Sequence, residues 1–319
     1  MTTELPFRIA GGLSAGSIYA LIALGYTLVY GVLQLINFAH SEVFMFGSLS
    51  GLLVLSAVVP EGGAESQIMG AAFLLVALVP AMLVGGAAAV ALERVAYRPL
   101  RKRNAPRLAY LISAIGASLF MANSIRIWRG PNLESYPSTI KSRIALDLGD
   151  TFLGRFFPDL FGRVRIQNRD LIVFVAAMLM MLALDQFVRR SKVGRGIRAV
   201  AQDAETAGLM GVDISRVITI TFLLGGILGG AAGLLFGWSF GVTQFSIGFL
   251  PGIKAFTAAV LGGIGNVRGA LAGGLLLGLF ENIAGGCFGV EWRDVASFLI
   301  LVLVLMFKPS GLFGERVSK

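Results

Sequence analysis

Residues 9–33 read IAGGLSAGSIYALIALGYTLVYGVL, a stretch without a single charged side chain. A helix of this length extends about 37 Å, which exceeds the ~30 Å hydrocarbon core of a bilayer. Residues 1–7 carry no basic n-region, and the apolar run is too long for the h-region of a cleaved signal peptide. We therefore expect a first membrane-spanning helix that stays in the protein.

Further apolar runs follow, and the composition agrees with them. Charged residues make up 14% of the 319-residue chain, against roughly 25% in soluble domains, and the mean hydropathy is +0.80. Seven more runs have the length of a span, at residues 43–59, 67–92, 108–128, 171–188, 217–240, 270–287 and 295–307. Another run, residues 249–262, is short and contains Pro251-Gly252, so it either spans the membrane or is re-entrant. We predict an all-α polytopic transmembrane bundle of about eight to nine spans, forming a single domain over residues 1–319.

The basic residues indicate which side of the membrane each loop faces. Two short loops, at about residues 93–107 and 189–216, each contain six Lys or Arg side chains, which predicts that both are cytoplasmic. Lys308, Arg316 and Lys319 predict a cytoplasmic C-terminus, and counting back through the spans places the N-terminus outside. Residues 129–169 then form a long external loop. The net charge of +9 is thus explained by topology, and we expect no nucleic-acid partner.

Several kinds of chemistry are excluded by what the sequence lacks. It contains one cysteine, Cys287, and one histidine, His40, so we expect no disulfide framework, no Cys/His metal site and no Ser/His/acid set. The glycine-rich stretch 262–269 lacks the Lys-Ser/Thr pair of a phosphate-binding P-loop. We expect the chain to be non-catalytic, to bind no cofactor or metal and to hydrolyse no ATP itself.

Glycines recur every four residues in the run at 217–240. Gly225, Gly229, Gly233 and Gly237 form a groove along one face of a helix, where a neighbouring backbone can approach closely. Two interpretations remain open: the groove packs helices within one subunit, or it is a face on which a second subunit or a pore-lining helix slides.

Polar residues inside or between the spans are candidates for a substrate pathway, because each is costly to place in hydrocarbon. The pathway candidates are Asn37, His40, Ser41, Glu42 and Asn123. Asn37 and Ser41 could instead cap the helix that follows, which leaves a structural role open. Glu281 and Asn282 are expected near the outer membrane surface without a special role, and Asp185 with Arg189 is expected to form an ordinary ion pair.

The second basic loop has apolar residues at helical spacing. Ala199, Val200, Ala204, Ala207 and Met210 predict one short amphipathic helix that ends at Gly211. Polar residues interrupt the apolar face, so a protein partner could receive it, although the helix could also lie against its own bundle.

Four motifs resemble one family of transport proteins. Residues 203–211, DAETAGLMG, resemble the cytoplasmic coupling helix of ABC-importer permeases, a Glu-Ala-Ala pattern followed by Gly. Residues 22–31 and 36–42, IALGYTLVYG and INFAHSE, closely resemble the branched-chain amino acid permease family, with Ser41 where that family usually has Gly. FTAAVLGGIGN at 256–266 and KPSGLFG at 308–314 are also similar to it. The resemblance runs nearly end to end.

The resemblance implies a permease subunit of an ATP-driven importer in the bacterial cytoplasmic membrane, for branched-chain or other small hydrophobic amino acids. Implied partners are a second homologous permease, two cytoplasmic subunits that bind ATP and Mg, and an extracytoplasmic substrate-binding protein, with lipid around the chain. Residues implied to couple to the ATPase are Asp203, Ala204, Glu205, Thr206, Ala207, Gly208, Leu209 and Gly211.

Other functions stay open at this point. Relatives resembling the family carry urea or short amides, and the sequence does not decide between these substrates and amino acids. A secondary transporter or channel working alone would need an intramembrane ion-coupling carboxylate, for which Glu42 is the candidate. A membrane enzyme or electron-transfer anchor would need histidine ligands or an acid/base pair, and the single histidine argues against it.

Overall fold

The computed structural model describes residues 5–60, 64, 66–137, 139, 144–147, 165–308 and 310–314. Its helices are α1 (Leu5–Leu33), α2 (His40–Val58), α3 (Gln67–Leu92), α4 (Arg98–Lys102), α5 (Arg107–Arg129), α6 (Asn168–Arg190), α7 (Lys192–Gln202), α8 (Ala204–Leu209), α9 (Ile214–Phe240), α10 (Phe249–Gly262), α11 (Val267–Cys287) and α12 (Trp292–Phe307). Four short strands are β1 (Glu134–Ser135), β2 (Ile144–Asp147), β3 (Arg165–Gln167) and β4 (Val242–Thr243). The described chain is therefore mostly helical.

Seven helices of the described chain are long and apolar enough to cross a membrane. They correspond to seven of the eight runs of span length in the sequence. The eighth run lies in α12, which has 16 residues, and the short run is α10, which has 14 residues. The length and hydropathy of the runs thus predicted these helices well. The two shorter ones, α10 and α12, lie in the C-terminal part of the chain.

The basic loop at residues 93–107 is mostly helical, which corrects the prediction of a loop. A π-helical turn, Glu93–Tyr97, joins α3 to α4, so that one continuous helix runs over Gln67–Lys102. Its 36 residues extend about 54 Å, well beyond a ~30 Å hydrocarbon core. Glu93 is fully buried and pairs with Arg101 at 3.0 Å, which stabilises the turn where the extra residue is accommodated.

The centre of the bundle is formed by α1, α2 and α9, while α5 is almost entirely exposed at the periphery. Backbones approach closely at glycines: Gly12 and Gly16 of α1 lie against the backbone of α11, and Gly47 of α2 lies against Gly230 of α9. Small residues at helix crossings allow the close packing that drives association within a bilayer.

The strands were not predicted by the all-α interpretation. β1 pairs antiparallel with β4, and β2 pairs antiparallel with β3. They occur at the end of the bundle opposite α4 and α7, which we call the strand end; the end that carries residues 93–107 and 189–216 is called the basic end. Most of the predicted external loop, including residues 148–164, lies outside the described residues, as do Arg316 and Lys319.

Candidate functional site

The first candidate site is the α1–α2 junction, residues 36–42, which lies inside the bundle. The ring of His40 packs on Tyr26 of α1, with ring centroids 4.9 Å apart, and it faces Gly25 of α1 and Gly229 of α9. A Cβ atom built on Gly25 would lie 2.1 Å from His40 Nε2, so only glycine leaves room for the imidazole. α2 therefore begins about halfway along α9, within the bundle.

Some buried polar atoms of the junction form hydrogen bonds, and others have no partner among the described residues. The Tyr97 hydroxyl donates to Asn37 Oδ1 at 3.0 Å, and the Ser118 hydroxyl donates to Glu42 Oε1 at 3.0 Å. Asn37 Nδ2, His40 Nε2 and Glu42 Oε2 are buried without a hydrogen-bond partner among the described residues. Each such atom costs about 1–3 kcal/mol when left unpaired, so their concentration here indicates a role other than stability.

Helix capping does not account for these side chains. Ala39 occupies the N-cap of α2 and no side chain caps it. Ser41 Oγ instead donates to the carbonyl of Phe38 at 2.8 Å. Two glycines at the start of α10 approach Ser41 closely, because Cβ atoms on Gly248 and Gly252 would lie 2.1 and 2.5 Å from Ser41 atoms. The junction thus meets the start of α10 without a glycine at position 41.

Asn123 is not brought together with the other pathway candidates. It lies on the exposed face of α5, where its Nδ2 donates to the carbonyl of Leu119 at 2.8 Å. α5 reaches the junction through Ser118, which sequence reasoning missed. A serine within an apolar helix gave no distinguishing signal.

The second candidate site is the segment 203–211, and its structure corrects the prediction of one continuous helix. α7 ends at Gln202 and α8 begins at Ala204, with Asp203 as the N-cap between them. Hydrogen bonds from the Thr206 hydroxyl and from the backbone N–H groups of Thr206 and Glu205 lower the pKa of the Asp203 carboxyl. This cap turns the chain because its geometry is incompatible with a continuing helix.

The two short helices have a buried side and an exposed tip. Ile197, Val200 and Ala207 pack against Val217 and Ile218 of α9, so the bundle covers Val200 and Ala207 of the predicted apolar face, whereas Ala204 of that face is exposed. At the tip the side chains of two further residues are free: Leu209 is 84% exposed and Met210 is 81% exposed. Gly211 follows at φ +85°, where the chain turns toward α9.

A hydrophobic cluster joins this segment to the junction. It contains Ile197, Val200 and Ala207 of the short helices together with Val32, Ala39 and Val43 beside the junction. The short helices and the junction are thus connected by continuously packed side chains.

The glycines of α9 are occupied from two sides within the chain. Gly225 faces Gly25 of α1, and Gly229 and Gly233 face α2, where a Cβ on Gly233 would lie 2.1 Å from the carbonyl oxygen of Phe44. Gly237 receives the ring of Tyr136, the residue that follows β1. The predicted groove is therefore filled by helices of the same subunit.

The sequence analysis did not predict the ion pairs of Lys254 at the strand end. Lys254 of α10 lies between Glu281 and Asp294, with its Nζ 2.7 and 2.6 Å from their carboxylates. No special role was expected for Glu281, yet its side chain is buried and paired. A lone lysine in the apolar run 249–262 was the signal, but its partners come from two other helices. Asp185 and Arg189 do form the predicted ion pair, at 2.9 Å.

Seven long apolar helices in the described part of the chain, packed through glycines around a buried polar junction, are typical of a multi-pass membrane protein. The chain belongs to the family described as "Branched-chain amino acid transport system / permease component", whose family model matches residues 8–305.

Two curated relatives support this assignment over nearly their full length. The chain is 40% identical to the high-affinity branched-chain amino acid transport system permease protein BraD of Pseudomonas aeruginosa, over 97% of this chain and 95% of that protein. It is also 40% identical to the permease protein LivH of the same kind of system in Escherichia coli K12, with the same coverage. Among solved structures, PsaBC from Streptococcus pneumoniae in complex with Fab is similar at TM-score 0.42 and 13% identity, covering 97% of this chain and 91% of that one.

Proposed function

We propose that this chain is the membrane permease subunit of an ATP-driven importer for branched-chain or other small hydrophobic amino acids. The relatives that are 40% identical over 97% of the chain are permeases of high-affinity branched-chain amino acid transport systems, which supports this substrate class. The observation that carries the mechanism is the exposed tip at Leu209 and Met210, whose supporting helices share a hydrophobic cluster with the buried junction.

The proposed topology has the basic end in the cytoplasm and the strand end outside. The whole chain forms one permease domain in the bacterial cytoplasmic membrane, with the N-terminus outside and the C-terminus inside. The C-terminal residues support this arrangement, because the backbone N–H of Leu312 donates to Leu261 and that of Phe313 donates to Gly262, at the α10 end that lies next to the end of α1. α10 then runs from the interior of the bundle to the cytoplasmic side, completing nine passages with α12.

The proposed assembly contains further subunits. A second homologous permease completes the translocation pathway, two cytoplasmic ATPases bind ATP and Mg, and an extracytoplasmic binding protein delivers the substrate. This chain itself binds no cofactor. In this scheme Asp203–Gly211 docks the ATPase, the α9 glycines hold the bundle together, and Asn37, His40, Ser41 and Glu42 line the pathway.

Coupling follows from the geometry of the docking segment. Closure of the ATPases pushes on Leu209 and Met210, which are exposed and lie on a helix anchored by Ala207 in the bundle. The hydrophobic cluster carries that displacement to Ala39 and Val43, on either side of His40. The junction then changes its packing against α10, which opens or closes the pathway beside it.

The experiment is purification of the tagged protein from its native membrane in mild detergent, followed by identification of co-purified subunits, ATPase assay and reconstitution for leucine uptake. We expect ATPase subunits and a second permease to co-purify and ATP-dependent leucine uptake to follow. A homo-oligomer without ATPase activity would contradict the proposal and favour a stand-alone transporter, whereas ATP-dependent uptake of urea alone would contradict the substrate class.

The docking surface is tested by the double variant Leu209→Asp/Met210→Asp. Both side chains are exposed, so the charges should leave the bundle intact while desolvation of the carboxylates abolishes ATPase co-purification. Ile68→Asp is the matched control, since Ile68 is 86% exposed at the opposite end of the molecule. Equal recovery of ATPase with the double variant and the control would contradict docking at α8.

A further inference from the structure

The described part of the bundle contains a cavity of about 470 Å³ at the strand end, between α1, α6, α9, α10 and α11. This volume falls within the range of about 300–1,000 Å³ that is typical of small-molecule sites. Part of its wall is apolar, provided by Ile18, Phe236, Ile247 and Leu250. The cavity is separate from the pathway candidates of the α1–α2 junction, none of which lines it.

Charged side chains of both signs line the rest of the wall. Lys254, Arg169 and Arg293 supply positive charge, and Asp170 and Glu281 supply negative charge. Two of the positive groups are already engaged: Lys254 pairs with two carboxylates, and Arg169 donates to the carbonyl of Ser239 at 2.7 Å. Asp294 also pairs with Lys254, although it does not line the cavity. With Asp294 included, the three positive and three negative side chains balance, so a ligand without net charge fits best.

Two atoms of opposite charge remain without a hydrogen bond. Glu281 is 5% exposed and its Oε1 accepts from Lys254, while its Oε2 is buried without a partner among the described residues. Arg293 Nε is likewise buried and unpartnered. A free carboxylate oxygen accepts from an ammonium group, and a free guanidinium N–H donates to a carboxylate.

These two groups lie beside neighbouring turns of α11. The Arg293 side chain packs on Gly285, where a built Cβ would lie 2.5 Å from its Nε. Gly285 lies one helical turn after Glu281 on the same face of α11, and the Cβ positions of residues so spaced are about 5–6 Å apart. One small zwitterion can therefore reach both groups at once.

We propose that this cavity is a binding site for the zwitterionic amino acid inside the permease itself, with Glu281 holding its ammonium group and Arg293 its carboxylate. The apolar side chain of the ligand lies against Ile247 and Leu250. The inference rests on the proposed function for the substrate class and adds a specific site on this chain.

The floor of the cavity explains how the site relates to the α1–α2 junction. Ile247, Leu250 and Pro251 line the cavity, and the intervening Gly248 and the following Gly252 pack tightly on Ser41 from the other side. The start of α10 is therefore a thin barrier between the cavity and the junction. The cavity forms the outward half of a pathway that is closed at this level in the present conformation.

The test uses the complete transporter, co-purified and reconstituted, with a diazirine analogue of leucine as the probe. After ATP-dependent uptake is established, the probe is activated by light and the modified peptides are identified by mass spectrometry. We expect modification around Ile247 and Leu250, reduced by excess leucine. Uptake with modification confined to other segments would overturn the site while leaving the proposed function intact. If no branched-chain amino acid is taken up by the assembled complex, the proposed function fails, and this inference falls with it.

Variants separate binding from folding. Glu281→Gln should lower leucine uptake about tenfold or more, because a charge-assisted hydrogen bond to the ammonium group is lost. Asp185→Asn, at the basic end, is its control. Leu250→Trp should abolish probe modification by filling the cavity without changing a charge, and Leu299→Trp on the exposed face of α12 is its control. Assembled complexes of the Leu250 and Glu281 variants that keep wild-type uptake and modification would overturn the proposal.

Discussion

Glu42 is a buried carboxyl group whose position in the bundle lowers stability. It is 3% exposed in an apolar bundle, and one of its two carboxylate oxygens accepts hydrogen bonds, from Ser118 of the peripheral helix α5 and from the neighbouring Ser41. A carboxyl that is only half satisfied is expensive to bury, and intramembrane ionisable groups are functional candidates for this reason. Together with His40 and Asn37, it makes the junction the main concentration of unpaired buried polar atoms among the described residues, which supports its proposed role in the pathway.

We expect Glu42→Ala to lower substrate uptake about tenfold or more without loss of assembly. The substitution removes the carboxylate from the junction but leaves the glycine packing of α1, α2 and α9 unchanged. Uptake and subunit co-purification are measured in parallel. Ser124→Ala is the control, since Ser124 bonds only to the carbonyl of Phe120 on its own helix. Wild-type uptake in the Glu42 variant would assign the residue a structural role.

Gly211 is the residue at which we expect coupling to fail. Its φ of +85° is unfavourable for a β-branched residue, so Gly211→Val should shift the turn that holds Leu209 and Met210. ATP hydrolysis should continue while uptake per ATP falls several-fold. The control is Gly130→Val at the strand end, where φ is +89° and nothing lies within 4 Å of a built Cβ, as is also true of Gly211. An unchanged ratio of uptake to hydrolysis in the Gly211 variant would contradict coupling through this turn.

At the scale of elements, α9 organises the bundle because it is packed on two faces through glycine. Gly225, Gly229 and Gly233 accept α1 and α2, and Gly226 and Gly230 accept α3. Within lipid no hydrophobic driving force brings helices together, so this close packing supplies much of the association free energy. A helix so tightly enclosed moves with its neighbours, which suits it to transmit displacement from α7 and α8.

A matched pair of glycine substitutions tests this packing. Gly233→Ala places a Cβ 2.1 Å from the backbone oxygen of Phe44, which cannot yield cheaply, and should cost about 1–3 kcal/mol. Gly116→Ala on α5 meets nothing within 4 Å and gains helix propensity of about 0.5–1 kcal/mol. The thermal unfolding midpoint in detergent should fall by several degrees for the first variant and hold or rise for the second. Equal midpoints would show that α9 packs more loosely than described.

Helix bounds were largely predictable, whereas contacts between distant segments were not. Apolar runs predicted the membrane helices α1, α2, α3, α5, α6, α9, α10 and α11 closely, since a bilayer imposes both length and apolarity. Asp203 followed by Thr206 carried a capping signal that the apolar spacing concealed, so two helices were predicted as one. The two-residue strands β1 and β4 pair across more than a hundred residues and have no periodic pattern. Lys254 meets Glu281 and Asp294 only through the arrangement of three helices.

At the scale of the whole molecule, the two ends of the bundle differ in chemistry. The basic end holds exposed arginines and the docking tip, and its hydrophobic cluster extends inward to Val43. The strand end holds the cavity with its balanced charges, and the start of α10 closes it from the junction. This polarity suits the directional transport proposed above, in which substrate enters at the strand end and ATP-driven movement begins at the basic end.

Cys287 provides a direct test of this orientation, because it is the one cysteine of the sequence and lies exposed at the strand-end terminus of α11. With the strand end outside, a membrane-impermeant maleimide should label the protein in intact spheroplasts. Met210→Cys in a Cys287→Ala background should be labelled only in inside-out vesicles, because Met210 is exposed at the basic end. The reverse pattern would invert the topology, and with it the assignment of the cavity to the outward half of the pathway.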